Sequence, residues 1–440
     1  MWGVLAVTLG TLLWLRNVGI ADKYIQQDEA DQEVAFQKAF TLELLLTFAT
    51  MLLLIAVMPL VVVVYGETSL LLPGLAVIMM LPAGALQMPI AAYYRRMQFV
   101  RQRTLQAVEP IVAFVAAVAL AAAGAGYWAL VGGLLIGAWA AALVAVWKSP
   151  YRLRLRYDRG TLRSYASFSW PLFIASGSAV VMAQSAVIAA DAHLGLAAVG
   201  AVALAAQITQ FTDRVDQLVT GTLYPGICAV KDRADILYES FVKSNRLALM
   251  WAVPFGCGVS LFAADLVDFG IGEKWAPAVG LLQVTGVVAA LGHIGFNWDA
   301  YFRALGTTRP MAVASAVAAV TFVATGLPLL FTYDLDGLAA GIGLQMAAHV
   351  ACRAFYLQRL FDGFGFALHA LRALLPTLPA GGAVLAMRVA ETGERTAALA
   401  LAEIGVYLAL TAIATWVLEN RLLREALGYL RGAPPAGAPA

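Results

Sequence analysis

The sequence predicts an all-α polytopic membrane protein: about 13 transmembrane helices in two pseudo-symmetric lobes, with two further helices after them. Three observations predict this class. Of 440 residues, 61% are hydrophobic and 13% charged, where a soluble domain holds roughly 45–50% apolar and ~25% charged residues. Apolar runs of spanning length recur along the whole chain. Lysine and arginine concentrate in alternate connections.

The runs fall at 2–20, 40–64, 69–92, 105–123, 127–147, 166–190, 196–222, 246–269, 277–302, 311–331, 337–357, 367–387 and 396–417. Gly66-Glu67-Thr68 and Gly124-Ala125-Gly126 are too short to do anything but reverse the chain. Pro59, Pro73, Pro82, Pro89, Pro110, Pro171 and Pro254 sit in or beside runs and predict kinks. Residues 1–150 read as an N-terminal lobe, 151–360 as a C-terminal lobe and 361–431 as the two extra helices. The segment from Gly432 to Ala440, rich in Pro, Ala and Gly, reads as a disordered tail.

Most of the 29 basic residues fall on one side of this alternation. They include Lys23 and Lys38, the cluster from Arg95 to Arg103, the long connector from Lys148 to Arg163, and Arg421, Arg424 and Arg431. Arg303 and Arg309 count with them, as do Arg353 and Arg359. The opposite side carries Lys274, Arg388 and Arg395. The basic side is cytoplasmic by this rule, which places the C-terminus inside and residue 1 outside. The connector residues Tyr151 to Tyr157 alternate arginine with leucine or tyrosine, a pattern suited to solvent or lipid headgroups.

A net charge of +2 gives no field that would gather nucleic acid. Cys228, Cys257 and Cys352 lie far apart without metal-ligand or disulfide spacing, and no sequence pattern calls for a cofactor. No catalytic Ser/His/Asp order, paired carboxylates or phosphate-cradling loop stands out, so the reading is not that of an enzyme.

Features recur at an offset of about 200 residues, as in two-lobe transporters. Arg95 is echoed by Arg303, Gly126 to Gly132 by Gly337 to Gly341, and Trp2 to Val4 by Val199 to Ala201. The C-terminal lobe has one more run than the N-terminal lobe. The counterpart of 166–190 would precede Met1, so a first helix is expected upstream.

Charges inside apolar runs cost at least about 2.5–3.5 kcal/mol on insertion scales and mark functional candidates. Run 196–222 carries Gln207, Gln210, Asp213, Arg214, Asp216 and Gln217. On an ideal helix Gln207, Gln210, Arg214 and Gln217 share an arc of about 80°. Arg214 has no carboxylate three or four residues away, and neither has Arg16. Two such guanidiniums at corresponding places suit a diphosphate, which a planar fork grips with two bonds. Arg16 lies near a helix end, where snorkelling to the interface explains it equally. The candidate cavity set is Arg16, Arg214, Gln207, Gln210, Gln217, Asp213 and Glu43. His293, Asn297 and Asp299 are weaker members, with His293 and Asn297 spaced for contacts between helices. His349 and Arg353 repeat that spacing.

Several stretches resemble the polysaccharide biosynthesis, or oligosaccharide flippase, family of the multidrug/oligosaccharidyl-lipid/polysaccharide exporter superfamily. They are Ala21-Asp-Lys-Tyr-Ile-Gln-Gln-Asp-Glu, Gly126-Tyr-Trp-Ala-Leu130, Gly272-Glu-Lys-Trp-Ala-Pro277 and Ala304-Leu-Gly306, with Pro89 followed by Tyr94-Arg-Arg-Met-Gln-Phe99. The resemblance implies two lobes of about six helices each, two more helices, and alternating access of an undecaprenyl-diphosphate-linked oligosaccharide in a bacterial inner membrane. A polysaccharide polymerase and glycosyltransferases are the partners expected beside membrane lipids. Competing readings are a cation-coupled multidrug exporter, a polymerase and a scaffold for glycosyltransferases.

Overall fold

The computed structural model describes residues 18–65, 68 and 71–430. These form helices and connections, with no strand among the described residues. In chain order the helices are α1 (Ile20–Gln26), α2 (Gln32–Tyr65), α3 (Leu71–Leu86), α4 (Pro89–Arg95), α5 (Phe99–Ala122), α6 (Trp128–Trp147) and α7 (Arg159–Leu194). Then come α8 (Leu196–Thr209), α9 (Asp213–Ala229), α10 (Ala234–Leu261), α11 (Ala263–Ile271), α12 (Val279–Gly292) and α13 (Trp298–Ala304). The last are α14 (Arg309–Thr321), α15 (Leu327–Leu360), α16 (Phe366–Leu374), α17 (Leu378–Ala390) and α18 (Ala397–Leu430).

Among the described residues, 8 helical stretches are long and apolar enough to cross a bilayer, or 11 if each bent pair is one span. The bent pairs are α3 with α4, α10 with α11, and α16 with α17. The stretch Arg309–Leu360 contains two predicted runs; its backbone leaves the helix at Tyr333 and at Asp334, where φ is 55°. The predicted run 2–20 and the tail from Gly432 lie outside the described residues, except Val18 to Ile20.

The chain packs as two compact units. Of the described residues, the first comprises those up to 180 with 225–229 and 302–312; the second comprises 181–224, 230–301 and those from 313 onward. In the first, α5 and α6 approach so closely that side chains are excluded. A Cβ on Gly133 would lie 2.6 Å from the Ala117 Cβ, and one on Gly137 2.7 Å from the Glu109 carbonyl oxygen. Glycines four apart facing alanines let two helices meet by van der Waals contact, the main attraction available where lipid is as apolar as leucine. In the second unit Gly256 on α10 and Gly286 on α12 meet in the same way. Large apolar side chains such as Leu52, Trp147 and Val389 are exposed, as a hydrocarbon solvent allows.

Candidate functional site

In the first unit a cavity of about 490 Å³ is lined by Asp22, Glu43, Gln87, Tyr94, Gln102 and Gln106, among apolar residues. Asp22 accepts a hydrogen bond from Arg303 at 2.7 Å, and Gln87 donates to Glu109 at 2.8 Å. Gln102 is buried, and its side-chain oxygen makes no hydrogen bond. Arg95 donates to the carbonyls of Tyr24 and Ile25 at the end of α1, satisfying acceptors that a helix terminus leaves open. Glu43 thus stands where a membrane-embedded carboxylate has polar company. The other cavity residues escaped sequence reading because α1, α4, α5 and the connection between α3 and α4 supply them. Arg16 lies outside the described residues.

In the second unit the polar stripe is exposed: Gln207, Gln210, Arg214 and Gln217 all lie on the surface. The helix tightens between α8 and α9 into a 3₁₀ turn at Gln210–Thr212. The Phe211 carbonyl accepts a bond from the Trp251 indole at 2.8 Å. Arg214 lies over the Phe211 ring, 5.4 Å from its centroid, and no described carboxylate forms an ion pair with it. A face of amides and one guanidinium offers hydrogen-bond donors to an anion.

Asp213 turns inward instead. Its Oδ1 lies 2.9 Å from Nε2 of His293, a ring only 4% exposed. Asp216 is buried beside it and accepts a bond from the Thr220 hydroxyl at 3.0 Å. His293 occupies a break in the helical run between α12 and α13, where Gly295 has φ 71°. The break frees backbone groups in the interior, and side chains take them up. Asn245 donates to the His293 carbonyl at 3.0 Å and accepts from the Gly295 amide at 2.9 Å. Arg353 donates to the carbonyls of Gly292 and Ile294. Non-helical backbone at membrane depth persists when protein satisfies it in this way.

The interior position of Arg353 corrects its assignment to the cytoplasmic basic connections: it is 1% exposed. Its carbonyl partners lie about 60 residues away in sequence, so spacing held no trace of its role. Asn297 reaches across helices as its spacing predicts, donating to Ser244 at 2.7 Å. Further along, Arg388 and Arg395 bind Asp265 and Glu403 in one ionic network, with Glu391 at its edge. Hydrogen bonds to Asp265 and Glu403 hold the Arg395 guanidinium above its ordinary range. No group of His, Cys, Asp and Glu among the described residues is arranged to hold a metal ion.

Residues 1–280 match the model of a family described as "Polysaccharide biosynthesis protein". No curated protein sequence matches significantly. Among solved structures, one described as "Lipid II flippase MurJ, inward closed conformation" aligns with a TM-score of 0.63 at 12% identity, covering 96% of this chain and 93% of its own. The Vibrio cholerae MATE transporter VcmN in its bent form gives 0.64 at 15% identity, covering 82% and 87%. A MATE transporter in the bent conformation gives 0.70 at 13% identity, covering 81% and 86%. At such identities the likeness establishes the fold. It is the fold of membrane transporters.

Proposed function

The chain belongs to the polysaccharide biosynthesis protein family, and on that premise we propose that it flips an undecaprenyl-diphosphate-linked oligosaccharide across a bacterial cell membrane by alternating access. The observation that carries this reading is the exposed stripe of Gln207, Gln210, Arg214 and Gln217, with a guanidinium that no described carboxylate neutralises. An unpaired charge in hydrocarbon is expensive, so a ligand of opposite charge is its natural partner. Diphosphate oxygens accept two parallel bonds from arginine. The amides on the same face suit phosphate or sugar oxygens. The protein acts here as a carrier, making and breaking no bond in its substrate. Its neighbours in the cell are the glycosyltransferases that build the oligosaccharide and the polymerase that uses it.

The test is complementation of surface-polymer export in a strain lacking the native gene. Arg214→Ala lowers export at least tenfold at normal protein level, in line with the ~1.5–3 kcal/mol carried by a hydrogen bond to a charged group. Arg214→Lys also impairs it, because the retained point charge lacks the bidentate fork. Undiminished export by Arg214→Ala overturns the assignment.

The cavity of the first unit, with Asp22 and Glu43, favours a second reading, a cation-coupled multidrug exporter. Drug resistance conferred by the native protein and lost in Glu43→Gln, with polymer export unaffected, supports that reading over the first.

A further inference from the structure

The described lining of the first unit's cavity runs from Val18 to Gln106 and belongs wholly to that unit. At about 490 Å³ the cavity lies within the range of small-molecule sites, ~300–1,000 Å³. Its polar side chains come from α1 (Asp22), α2 (Glu43), the turn before α4 (Gln87), α4 (Tyr94) and α5 (Gln102 and Gln106). Apolar side chains such as Ile25, Met88 and Ile90 lie among them.

Several of these polar groups are already engaged. Asp22 is paired with Arg303, Gln87 donates to Glu109, and the Gln106 oxygen accepts from Arg103 at 3.3 Å. Gln102 differs. It is 5% exposed, yet its side-chain oxygen has no hydrogen bond, a costly state inside a protein. Among the described residues nothing answers that acceptor, so a ligand in the cavity is its natural partner.

The chemistry of the lining selects the ligand. An amide presents a donor and an acceptor side by side, and a hydroxyl group is itself both. A hydroxyl therefore satisfies Gln102 whichever way its amide is turned, whereas an ammonium, which only donates, satisfies the oxygen alone. Neighbouring hydroxyls also donate together to the two oxygens of a carboxylate such as Glu43. Tyr94 adds an aromatic ring, and the apolar neighbours suit the C–H face of a sugar ring. A second carboxylate brought beside Glu43 is repelled.

We propose that this cavity is a sugar-binding subsite in which Gln102 and Glu43 take hydroxyl groups, admitting neutral hexoses and N-acetylated amino sugars and disfavouring uronic acids. The proposal rests on the reading that the protein carries a lipid-linked oligosaccharide, and it names the kind of sugar carried.

Binding to the purified full-length protein is measured with undecaprenyl diphosphate and with the same lipid bearing one glucose, N-acetylglucosamine or glucuronic acid residue. Glucose and N-acetylglucosamine each tighten binding several-fold over the bare lipid, and glucuronic acid does not. In Gln102→Leu that gain, taken against the bare lipid on the same variant, disappears. In Glu43→Gln the amide still meets hydroxyls but no longer repels a carboxylate, so the glucuronic acid probe gains as the neutral ones do. Should Gln102→Leu fail to fold, Gln102→Met replaces it. A gain that survives in the Gln102 variant, or an equal gain for glucuronic acid in the native protein, overturns the proposal. Methyl glucoside and methyl N-acetylglucosaminide, followed by saturation-transfer NMR, separate the two readings. If these contact the native protein and not the Gln102 variant, while no undecaprenyl probe binds, the carrier reading fails and the sugar subsite stands. If the bare lipid binds but neutral sugars neither tighten it nor contact the protein, the subsite alone fails.

Discussion

At the scale of single residues, the sequence exposed polar groups through their rarity and hid those whose partners are backbone. Arg214 and the three glutamines stood out because they interrupt an apolar run, and the structure leaves them exposed. Asp213 stood out equally, but its partner His293, 80 residues on in another segment, was not legible. Arg353 was misread because charge counting cannot register a carbonyl freed by a helix break elsewhere. Its structural role gives a direct prediction. Arg353→Met leaves the carbonyls of Gly292 and Ile294 without a donor and lowers stability by about 1–3 kcal/mol per abandoned group. Thermal unfolding in detergent, followed by gel filtration of the surviving fraction, reads this loss. An unchanged melting temperature would mean that water or a neighbouring side chain satisfies the break.

At the scale of elements, small residues and caps explain what the apolar pattern leaves open. Hydropathy located α5 and α6 but could not say how near they come; that depends on Gly133 and Gly137 facing alanine. Gly137→Leu forces a side chain against Ala113 and the Glu109 carbonyl, both within 2.7 Å of its Cβ. It costs about 1–3 kcal/mol or more, measured as a lower melting temperature. Helix α7 begins at Arg159 with Asp158 as its cap. The Thr161 amide and hydroxyl both donate to Asp158 Oδ2, at 2.7 and 2.6 Å, as N-capping residues commonly arrange. The Thr161 hydroxyl, then its amide, hold the Asp158 carboxyl below the usual carboxylate range. A depressed carboxylate stabilises the fold above its unfolded value of about 3.9 and ceases to do so as pH falls through the lower folded value. Asp158→Ala therefore melts below the native protein at neutral pH, and the gap closes in acid. A gap independent of pH would show that the carboxylate charge is not what the cap supplies.

At the scale of the whole molecule, the order of spans was legible because each is a long run of apolar residues, and hydrocarbon leaves few alternatives to a helix. The break at Tyr333 and Asp334 falls where the predicted runs 311–331 and 337–357 are separated. Less legible was which pieces pack together: residues 225–229 and 302–312 join the first unit through tertiary contacts such as Thr308 to the Phe168 carbonyl. Sidedness follows from charge. The exposed arginines of the connector, Arg152, Arg154 and Arg156, have no counterpart of equal strength on the opposite side. There the sequence places only Lys274, Arg388 and Arg395, the last two paired with Asp265, Glu403 and Glu391, and three basic residues are outweighed by the many expected on the other side. Between Arg156 and Lys274 the chain passes through α7, the α8–α9 stretch and the α10–α11 pair. Counted as three crossings, these stretches put the two residues on opposite faces. A cysteine at Arg156 is then labelled by a membrane-impermeant reagent only from the cytoplasm, and one at Lys274 only from outside. The informative failure concerns α10 and α11, bent by 66° at their junction. If they formed a re-entrant loop instead of a span, both cysteines would label from the same side and the alternation of basic connections beyond Ile271 would be reversed.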